Sequence, residues 1–162
     1  MEKYEVKTKL SDALCGKVEL VQARWNPSLM LENQFTPYAM KVLSIKELKQ
    51  RNLTKMLENE IKILKIVQGY GGHSNIVSLH EIFVAKGNVH IVQEYCELGD
   101  LFQTVDQAAK ISEKEAKSYF LDIARGLQFL HTLNVAHLDL SLENIVISSS
   151  KSCKICDFGL AH

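Results

Sequence analysis

Hydrophobic residues recur with two different periods along this chain, which indicates a strand-rich part followed by a helical part. In the first part, short runs of alternating apolar and polar residues are separated by turn residues, the pattern of half-buried strands. One stretch there places Leu57, Ile61, Leu64 and Val67 at helical spacing, so a single helix is expected among the strands. The strands are predicted at residues 4–7, 18–21, 38–43, 76–79, 82–84 and 89–92.

After Gly99 the chain is predicted to be mainly helical. Asp100 can cap a short helix, and Ser112 with Glu115 has the spacing of a capping box, in which the two residues bond each other's free amides. A long helix should follow and end near Asn134. The prediction gives this helix an apolar face of Ala116, Tyr119, Phe120, Ile123, Leu127 and Leu130, and adds two short strands at residues 145–147 and 154–156.

Composition restricts the class of protein. Apolar residues make up 46% and charged residues 23% of the 162 positions, which is ordinary for a globular domain. The formal net charge is zero, so composition gives no reason to expect a nucleic acid or an anionic membrane as partner. No apolar run approaches the roughly 20 residues that span a bilayer. The charged N-terminus is not a signal peptide, so we expect a cytoplasmic or nuclear protein.

The four cysteines are then expected to be free thiols, because the cytosol keeps thiols reduced. Cys153 and Cys156 have Cys-x-x-Cys spacing, which occurs in zinc and redox sites. However, they lie in a predicted strand, where residues three apart point to opposite faces. The sequence therefore favours a structural role for this pair.

Two charged residues occupy positions that their neighbours mark as buried. Glu60 falls beside the apolar stripe of the predicted helix, and Lys41 interrupts an apolar strand. A buried charge needs a partner, so an ion pair between Lys41 and Glu60 would satisfy both. Alternatively, Glu60 lies at the edge of the stripe and Lys41 extends its amine to solvent. The spacing alone leaves both interpretations open.

Polar residues with oxygen atoms cluster in the loops near the C-terminus. Asp139, Asn144 and Asp157 offer two carboxylates and an amide beside the last two predicted strands. Such hard oxygen ligands suit Mg²⁺, which binds through a few carboxylates together with phosphates. The alternative is ordinary turn chemistry, because aspartate and asparagine are common turn residues.

These residues, taken in order, resemble the motifs of the protein kinase family over nearly the whole chain. The strand with Lys41 is similar to the one that carries the family's phosphate-binding lysine, and Glu60 follows where the family has the paired glutamate. The other matching segments are residues 73–77, similar to His-Pro-Asn-Ile-Val, 94–96 as the hinge, 137–144 as the catalytic loop, and the Asp-Phe-Gly of 157–159.

The resemblance implies an α+β fold. Residues 1–95 would form an N-lobe with an antiparallel sheet and one helix, and residues 96–162 would form the first part of a helical C-lobe. It implies a protein serine/threonine kinase that uses ATP and Mg²⁺ to phosphorylate a protein substrate.

The resemblance also implies roles for individual residues. Asp139 would orient the substrate hydroxyl and accept its proton, Lys41 would hold the nucleotide phosphates, and Glu60 would hold Lys41. Asn144 and Asp157 would bind Mg²⁺. The backbone of Glu94 and Cys96 would bond the adenine edge, and Val18, Ala39 and Val146 would enclose the adenine ring. Asp100 would contact the ribose, and Gln93 would be the gatekeeper.

The resemblance also implies a column of packed side chains that joins the lobes, formed by Leu64, Leu79, His137 and Phe158.

Several positions depart from the family pattern. Ser11 and Ala13 stand where two glycines of the phosphate-binding loop belong, before Gly16. Leu138 replaces an arginine that pairs with a phosphorylated activation loop in the family. Ser141 replaces a lysine that contacts the transferred phosphate, which removes a positive charge where negative charge is handled.

The chain also ends at His162, before the remaining C-lobe helices. The sequence therefore predicts a truncated domain, in which a partner or a missing C-terminal segment covers the apolar face of the long helix. The alternative function is a catalytically inactive or pseudokinase module that binds nucleotide or a partner protein.

Overall fold

The computed structural model describes residues 3–24, 36–108 and 110–162. These residues fall into two compact units. One contains the described residues up to Leu53 together with Leu79–Tyr95, and the other contains Thr54–Ser78 together with the described residues from Cys96 onward. The predicted division into lobes at residue 95 stays a prediction.

The first unit is a five-stranded antiparallel sheet with one short helix, α1, which follows the third strand. The strands lie in the order β1-β2-β3-β5-β4, so β1 and β4 are the edges. The elements are β1 (Tyr4–Ala13), β2 (Gly16–Ala23), β3 (Pro37–Ser44), α1 (Ile45–Gln50), β4 (Leu79–Ala85) and β5 (Asn88–Glu94).

The two edge strands of this sheet approach each other on one face. The hydroxyl of Tyr4 in β1 donates to the carboxylate of Glu81 in β4, and the Tyr4 ring stacks on Phe83 with 6.1 Å between centroids. Because β1 and β4 lie at opposite edges, this contact requires a strongly coiled sheet. The concave face holds the buried cluster of Tyr4, Val21, Tyr38, Met40, Val42 and Val92.

Two tight turns connect the hairpins of the first unit. Leu14 and Cys15 join β1 to β2, and Lys86 and Gly87 join β4 to β5. Lys86 and Gly87 have φ angles of 51° and 74°. Positive φ at both central residues is the type I′ geometry, whose twist matches that of the flanking strands.

The second unit is mainly helical and contains a small sheet. Its β6 and β7 form an antiparallel pair. The elements are α2 (Thr54–Gly69), α3 (Leu101–Gln107), α4 (Glu113–Thr132), a single 3-10 turn (Leu142–Asn144), β6 (Ile145–Ile147) and β7 (Cys153–Ile155).

Helix α4 begins and ends with recognisable capping motifs. The Ser112 hydroxyl accepts from the amide of Glu115 at 3.2 Å, and the Glu115 carboxylate accepts from the amide of Ser112 at 3.2 Å. At the other end, Asn134 has a φ of 55° and the Val135 amide donates to the Leu130 carbonyl at 3.0 Å. This is the Schellman arrangement, and it ends the helix.

Two single-residue bridges extend the β6–β7 pair on both sides. Ile76 pairs in parallel with Ile155 of β7, and Asp100 pairs antiparallel with Val146 of β6. The two short strands therefore lie between the segment after α2 and the segment before α3.

The predicted α+β class is confirmed, and three details differ from the sequence-based expectation. Helix α1 was not predicted, although Ser44 caps it by accepting from the Glu47 amide at 3.3 Å. Strand β1 was expected at residues 4–7 but continues to Ala13, because residues 11–13 pair with β2. The strand expected at residues 76–79 is only the bridge at Ile76, and β4 begins at Leu79.

No helix within the described ranges is both long enough and apolar enough to cross a bilayer.

Candidate functional site

Lys41 lies on β3, between β2 and β5, and is half-buried. It is directly opposite Val18 in β2 and Ile91 in β5. Ala39 lies two residues earlier on β3 and therefore on the same face, because side chains alternate along a strand. The first unit thus brings Val18, Ala39 and Lys41 together on the face opposite its coiled core.

The end of β5 carries two other predicted residues. Gln93 is opposite Ala39, and Glu94 is opposite Tyr38. The side-chain Nε2 of Gln93 is buried and has no hydrogen-bond partner among the described residues. Glu94 is the last residue of β5, so its backbone lies where the sheet ladder ends.

Glu60 lies on α2 in the second unit and is only 3% exposed. It shares the buried side of the helix with Ile63, Leu64 and Val67. This burial agrees with the expectation that Glu60 faces inward. Lys41 and Glu60 belong to different units, and their pairing stays a prediction.

His137 is buried and connects the predicted catalytic loop, to which it belongs, with the residue that follows β7. Its Nε2 lies 3.0 Å from the carbonyl oxygen of Cys156, and its Nδ1 accepts from the amide of Asp139 at 3.4 Å. These two partners assign the proton to Nε2. The ring also meets Phe158 edge-on, with 5.3 Å between centroids, and Phe158 is fully buried.

Asn144 joins the two halves of the C-terminal cluster. Its side-chain Nδ2 donates to the backbone oxygen of Asp139 at 2.9 Å and to its carboxylate at 3.1 Å. Its own backbone carbonyl accepts from the amide of Cys156 at 3.0 Å. Asp139 and Asn144 are therefore in contact, and Asn144 is bonded to the residue directly before Asp157.

Two residues of this cluster have left-handed backbone conformations. Leu138 has a φ of 60° and Asp157 a φ of 59°. The Asp157 carboxylate accepts from the amide of Gly159 at 3.3 Å, a turn in which an aspartate side chain bonds the backbone two residues on. Left-handed residues other than glycine are uncommon and often mark functional loops.

The chemistry of these side chains fits a magnesium ion. Asn144 uses its amide nitrogen on Asp139, which leaves the amide oxygen as its remaining polar atom, and Asp157 contributes carboxylate oxygens. Oxygen atoms of this kind are the ligands that Mg²⁺ takes, usually with several waters. Asn144 and Asp157 are the residues that would hold the ion.

Asp100 and Cys96 have structural partners. The Asp100 carboxylate caps α3 by accepting from the Gln103 amide and from the Gln103 side chain, both at 2.7 Å. This confirms the predicted cap, and Val146 lies next to Asp100 through the backbone bridge. Cys96 is buried, and its carbonyl accepts from the Gly99 amide at 3.3 Å.

The family model of the protein kinase domain matches residues 28–162 of the chain. The chain belongs to the protein kinase family.

Two relatives illustrate how this kinase sequence compares with others. It is 30% identical to CBL-interacting protein kinase 31 of Oryza sativa subsp. japonica over 98% of the chain. It is 34% identical to serine/threonine-protein kinase kin-29 of Caenorhabditis elegans over 78% of the chain. The chain spans 33% of the rice protein's length and 15% of the nematode protein's length. The second relative is named a serine/threonine kinase, and protein kinases generally use ATP and Mg²⁺.

The Cys-x-x-Cys pair of this kinase domain has a buried first thiol. Cys153 is fully buried, and burial, followed by the nearby charge of Asp122, raises the pKa of its thiol to about 12. A thiol with so high a pKa is protonated at neutral pH, and the thiolate is the form that reacts or binds metal.

Sequence reasoning missed the side chains that hold β7. Asn75 was noticed only as part of a motif, yet its Nδ2 donates to the Cys153 carbonyl at 3.0 Å and to the Ser152 hydroxyl at 3.3 Å. Asp122 accepts from the amide of Cys153 at 3.0 Å. The available signal was Gly126, because a glycine inside a helix often marks a close packing contact, with Asp122 one turn before it on the same face.

Proposed function

We propose that this chain forms the nucleotide-binding and catalytic-loop part of a protein serine/threonine kinase, which transfers the γ-phosphate of ATP to serine or threonine hydroxyls of a protein substrate. The observation that carries this proposal is the bonding of Asn144, whose side chain contacts Asp139 and whose backbone holds the residue before Asp157. Phosphoryl transfer depends mainly on positioning and charge neutralisation, and this arrangement fixes a base and a metal-binding group in one local structure.

The proposed roles follow the family motifs. Asp139 is exposed, so its carboxylate can meet a substrate hydroxyl, and its bond to Asn144 holds its orientation. Asn144 and Asp157 bind Mg²⁺, which supplies positive charge next to the phosphates. Lys41 binds the phosphates, and Glu60 is its acidic partner. The adenosine is held by Val18, Ala39, Glu94, Cys96, Asp100 and Val146, with Gln93 as gatekeeper.

Nucleotide binding is tested first by thermal unfolding with and without Mg·ATP. We expect Mg·ATP to raise the melting temperature of the wild-type chain, because a ligand that binds only the folded state stabilises it. Lys41→Met should remove most of this shift. Lys49→Met, on the exposed surface of α1, is the matched control and should keep it. The absence of any shift in the wild type would contradict the proposed nucleotide site.

Catalysis is tested separately by transfer of labelled phosphate to a generic protein substrate. We expect Asp139→Asn to lower the transfer rate by about 10²–10⁴-fold, the range that a positioned general base contributes. The same variant should keep the Mg·ATP thermal shift. Equal transfer by the wild type and Asp139→Asn would contradict the role of Asp139.

An inactive, nucleotide-binding module is the second candidate, and Ser141 and Leu138 favour it. Ser141 is exposed and stands where the family has the lysine that contacts the transferred phosphate. The loss of such a charge typically costs a few kcal/mol of transition-state stabilisation. Leu138 is 67% exposed at the position of the family's arginine. A wild-type chain that shows the thermal shift but transfers no phosphate would establish this second function.

We further propose that a partner, or a C-terminal segment of a longer protein, covers the exposed apolar side of α4. Phe120 is 70% exposed and Leu121 41% exposed, and a groove lined by Ala124 and Leu127 lies further along the same helix. Large exposed apolar patches commonly mark interaction surfaces. We expect Phe120→Glu to reduce self-association of the isolated chain in light scattering, whereas the exposed substitution Lys117→Glu should not. Monomeric wild-type chain at high concentration would contradict this.

A further inference from the structure

We propose that Asp122 of α4 is a positioning residue for the metal-binding Asp157. The proposal rests on the proposed function, because it assigns Asp122 a part in Mg²⁺-dependent nucleotide binding. Asp122 lies far from Asp157 in sequence and acts through β7, the three-residue strand that leads into the Asp-Phe-Gly turn.

A strand of three residues has too short a ladder to fix its own position. The backbone groups around β7 are instead held from several directions. The Ile155 amide donates to the Asn75 carbonyl at 2.9 Å, and the Ile155 carbonyl accepts from the Val77 amide at 3.0 Å. One residue later, Cys156 is held by the backbone of Asn144 and the ring of His137. The backbone immediately before Asp157 is thus fixed by hydrogen bonds to other segments.

Asp122 holds the opposite, N-terminal end of this strand. Its Oδ2 accepts from the Cys153 amide at 3.0 Å and from the Ser152 hydroxyl at 3.1 Å. Asn75 completes this end by donating to the Cys153 carbonyl and to the Ser152 hydroxyl. Hydrogen bonds to an ionised carboxylate are about twice as strong as neutral ones, so Asp122 is the strongest single anchor of this end of β7.

Gly126, one turn after Asp122, allows α4 to lie close to Asn75 and β7. A Cβ placed on Gly126 would lie 2.8 Å from the Asn75 carbonyl oxygen and 2.9 Å from a methyl group of Ile155. Residues four apart share a helix face, so Asp122 and Gly126 present one surface to β7 and to Asn75. The glycine permits the contact, and the carboxylate fixes its register.

The anchor at Cys153 affects Asp157 because few residues separate the two. Cys153, where Asp122 acts, is four residues before Asp157, and the intervening backbone is extended and hydrogen-bonded. Asp122 and the bonds at Ile155 and Cys156 hold this segment jointly, so loss of the anchor at Cys153 loosens the segment that carries Asp157. Groups that orient a metal ligand typically contribute about 10–100-fold to metal affinity.

The test compares the affinity for a non-hydrolysable ATP analogue in Mg²⁺ and in EDTA, measured by isothermal titration on the full chain. The dissociation constant in EDTA divided by the dissociation constant in Mg²⁺ measures the metal's contribution to binding. We expect Asp122→Ala to lower this ratio about tenfold, at the weak end of the range for metal-orienting groups. Asp122→Asn, which keeps an acceptor oxygen, should retain part of the ratio. Glu113→Ala, an exposed carboxylate on the same helix, should leave it unchanged.

Three outcomes overturn the inference. If Asp122→Ala lowers the melting temperature but keeps the wild-type ratio, Asp122 is only structural. If the wild-type ratio itself is near one, the proposed function fails and this inference with it. Should Asp122→Ala not fold, Ser152→Ala removes the bonds of this hydroxyl to Asp122 and to Asn75 and leaves the Cys153 amide bonded to Asp122. This milder variant should still lower the ratio, and an unchanged ratio in folded Ser152→Ala and Asp122→Asn overturns the inference as well.

Discussion

The sheet of the first unit and the small sheet of the second unit are held in place by different means. Strands β1 to β5 contain seven to ten residues each, and their register is fixed by continuous ladders and a coiled apolar face. Strands β6 and β7 contain three residues each and are placed by hydrogen bonds from other segments of the second unit, to β6 from backbone groups and to β7 from backbone and side chains. The first sheet should therefore be sensitive to packing, and the second to single hydrogen bonds.

The largest effect is expected at Gly16, where β2 lies against the backbone of β3. A Cβ on Gly16 would lie 1.9 Å from the carbonyl oxygen of Val42, a backbone atom that cannot move without disturbing β3. We expect Gly16→Ala to destabilise the chain by about 3 kcal/mol, at the upper end of overpacking costs. The free energy of unfolding in urea measures this.

Gly69 provides the control for that substitution. It ends α2, and within the described part of the chain no atom beyond its neighbours and its own helix backbone lies within 4 Å of a Cβ placed there. Alanine is the better helix former, so Gly69→Ala should be neutral or slightly stabilising. A Gly16→Ala chain as stable as Gly69→Ala would contradict the packing explanation. Gly16 would then be explained only by its place in the family's phosphate-binding loop.

A smaller effect is expected from acid, and it should act on the second unit. The amide of Asn75 donates to Nδ1 of His73 at 3.1 Å, and protonation of that nitrogen removes the acceptor. Burial, followed by the charge of Lys154, lowers the pKa of His73 below the ordinary histidine value of 6.5. As the pH falls below about 6.5, the unfolded chain binds this proton before the folded chain does, so stability falls.

Urea unfolding midpoints at pH 7.5, 6.5 and 5.5 measure this dependence. His73→Gln should flatten the loss of stability across this range, because the titrating group is gone. His131→Gln, an exposed histidine at the end of α4, should keep the wild-type slope. The same slope in all three proteins would show that the acid sensitivity of the chain arises elsewhere.

The parts of the fold that the sequence predicted are those with a local cause. The cap of α3 at Asp100 and the capping box of α4 depend on residues three apart, and both are present. Helix α1 was missed because it has only six residues directly after a strand, too few to show a helical period of apolar residues. The extent of β1 was missed because turn-forming residues at 11–13 are held extended by pairing with β2.

The face of α4 shows the limit of hydrophobic periodicity. Phe120 and Leu130 were placed on one apolar face, yet Phe120 is 70% exposed and Leu130 is fully buried. The side that contacts β7 instead carries Asp122 and Gly126. Hydrophobic periodicity locates an apolar stripe on a helix. Contacts with segments distant in the chain decide which residues of that stripe are buried.

The sequence by itself determined the family, the order of the motif residues, and the caps and turns, because each depends on residue types at short and fixed spacing. Only the tertiary structure decided that Asn144 bonds to both Asp139 and Cys156, and that Asp122 and Asn75 hold β7. The contacts to β7 join residues 31 and 78 positions apart in the chain, and the Asn144 contacts join three segments of irregular or short structure. The energy of such a contact depends on a geometry that exists only after the helix and the strands have come together.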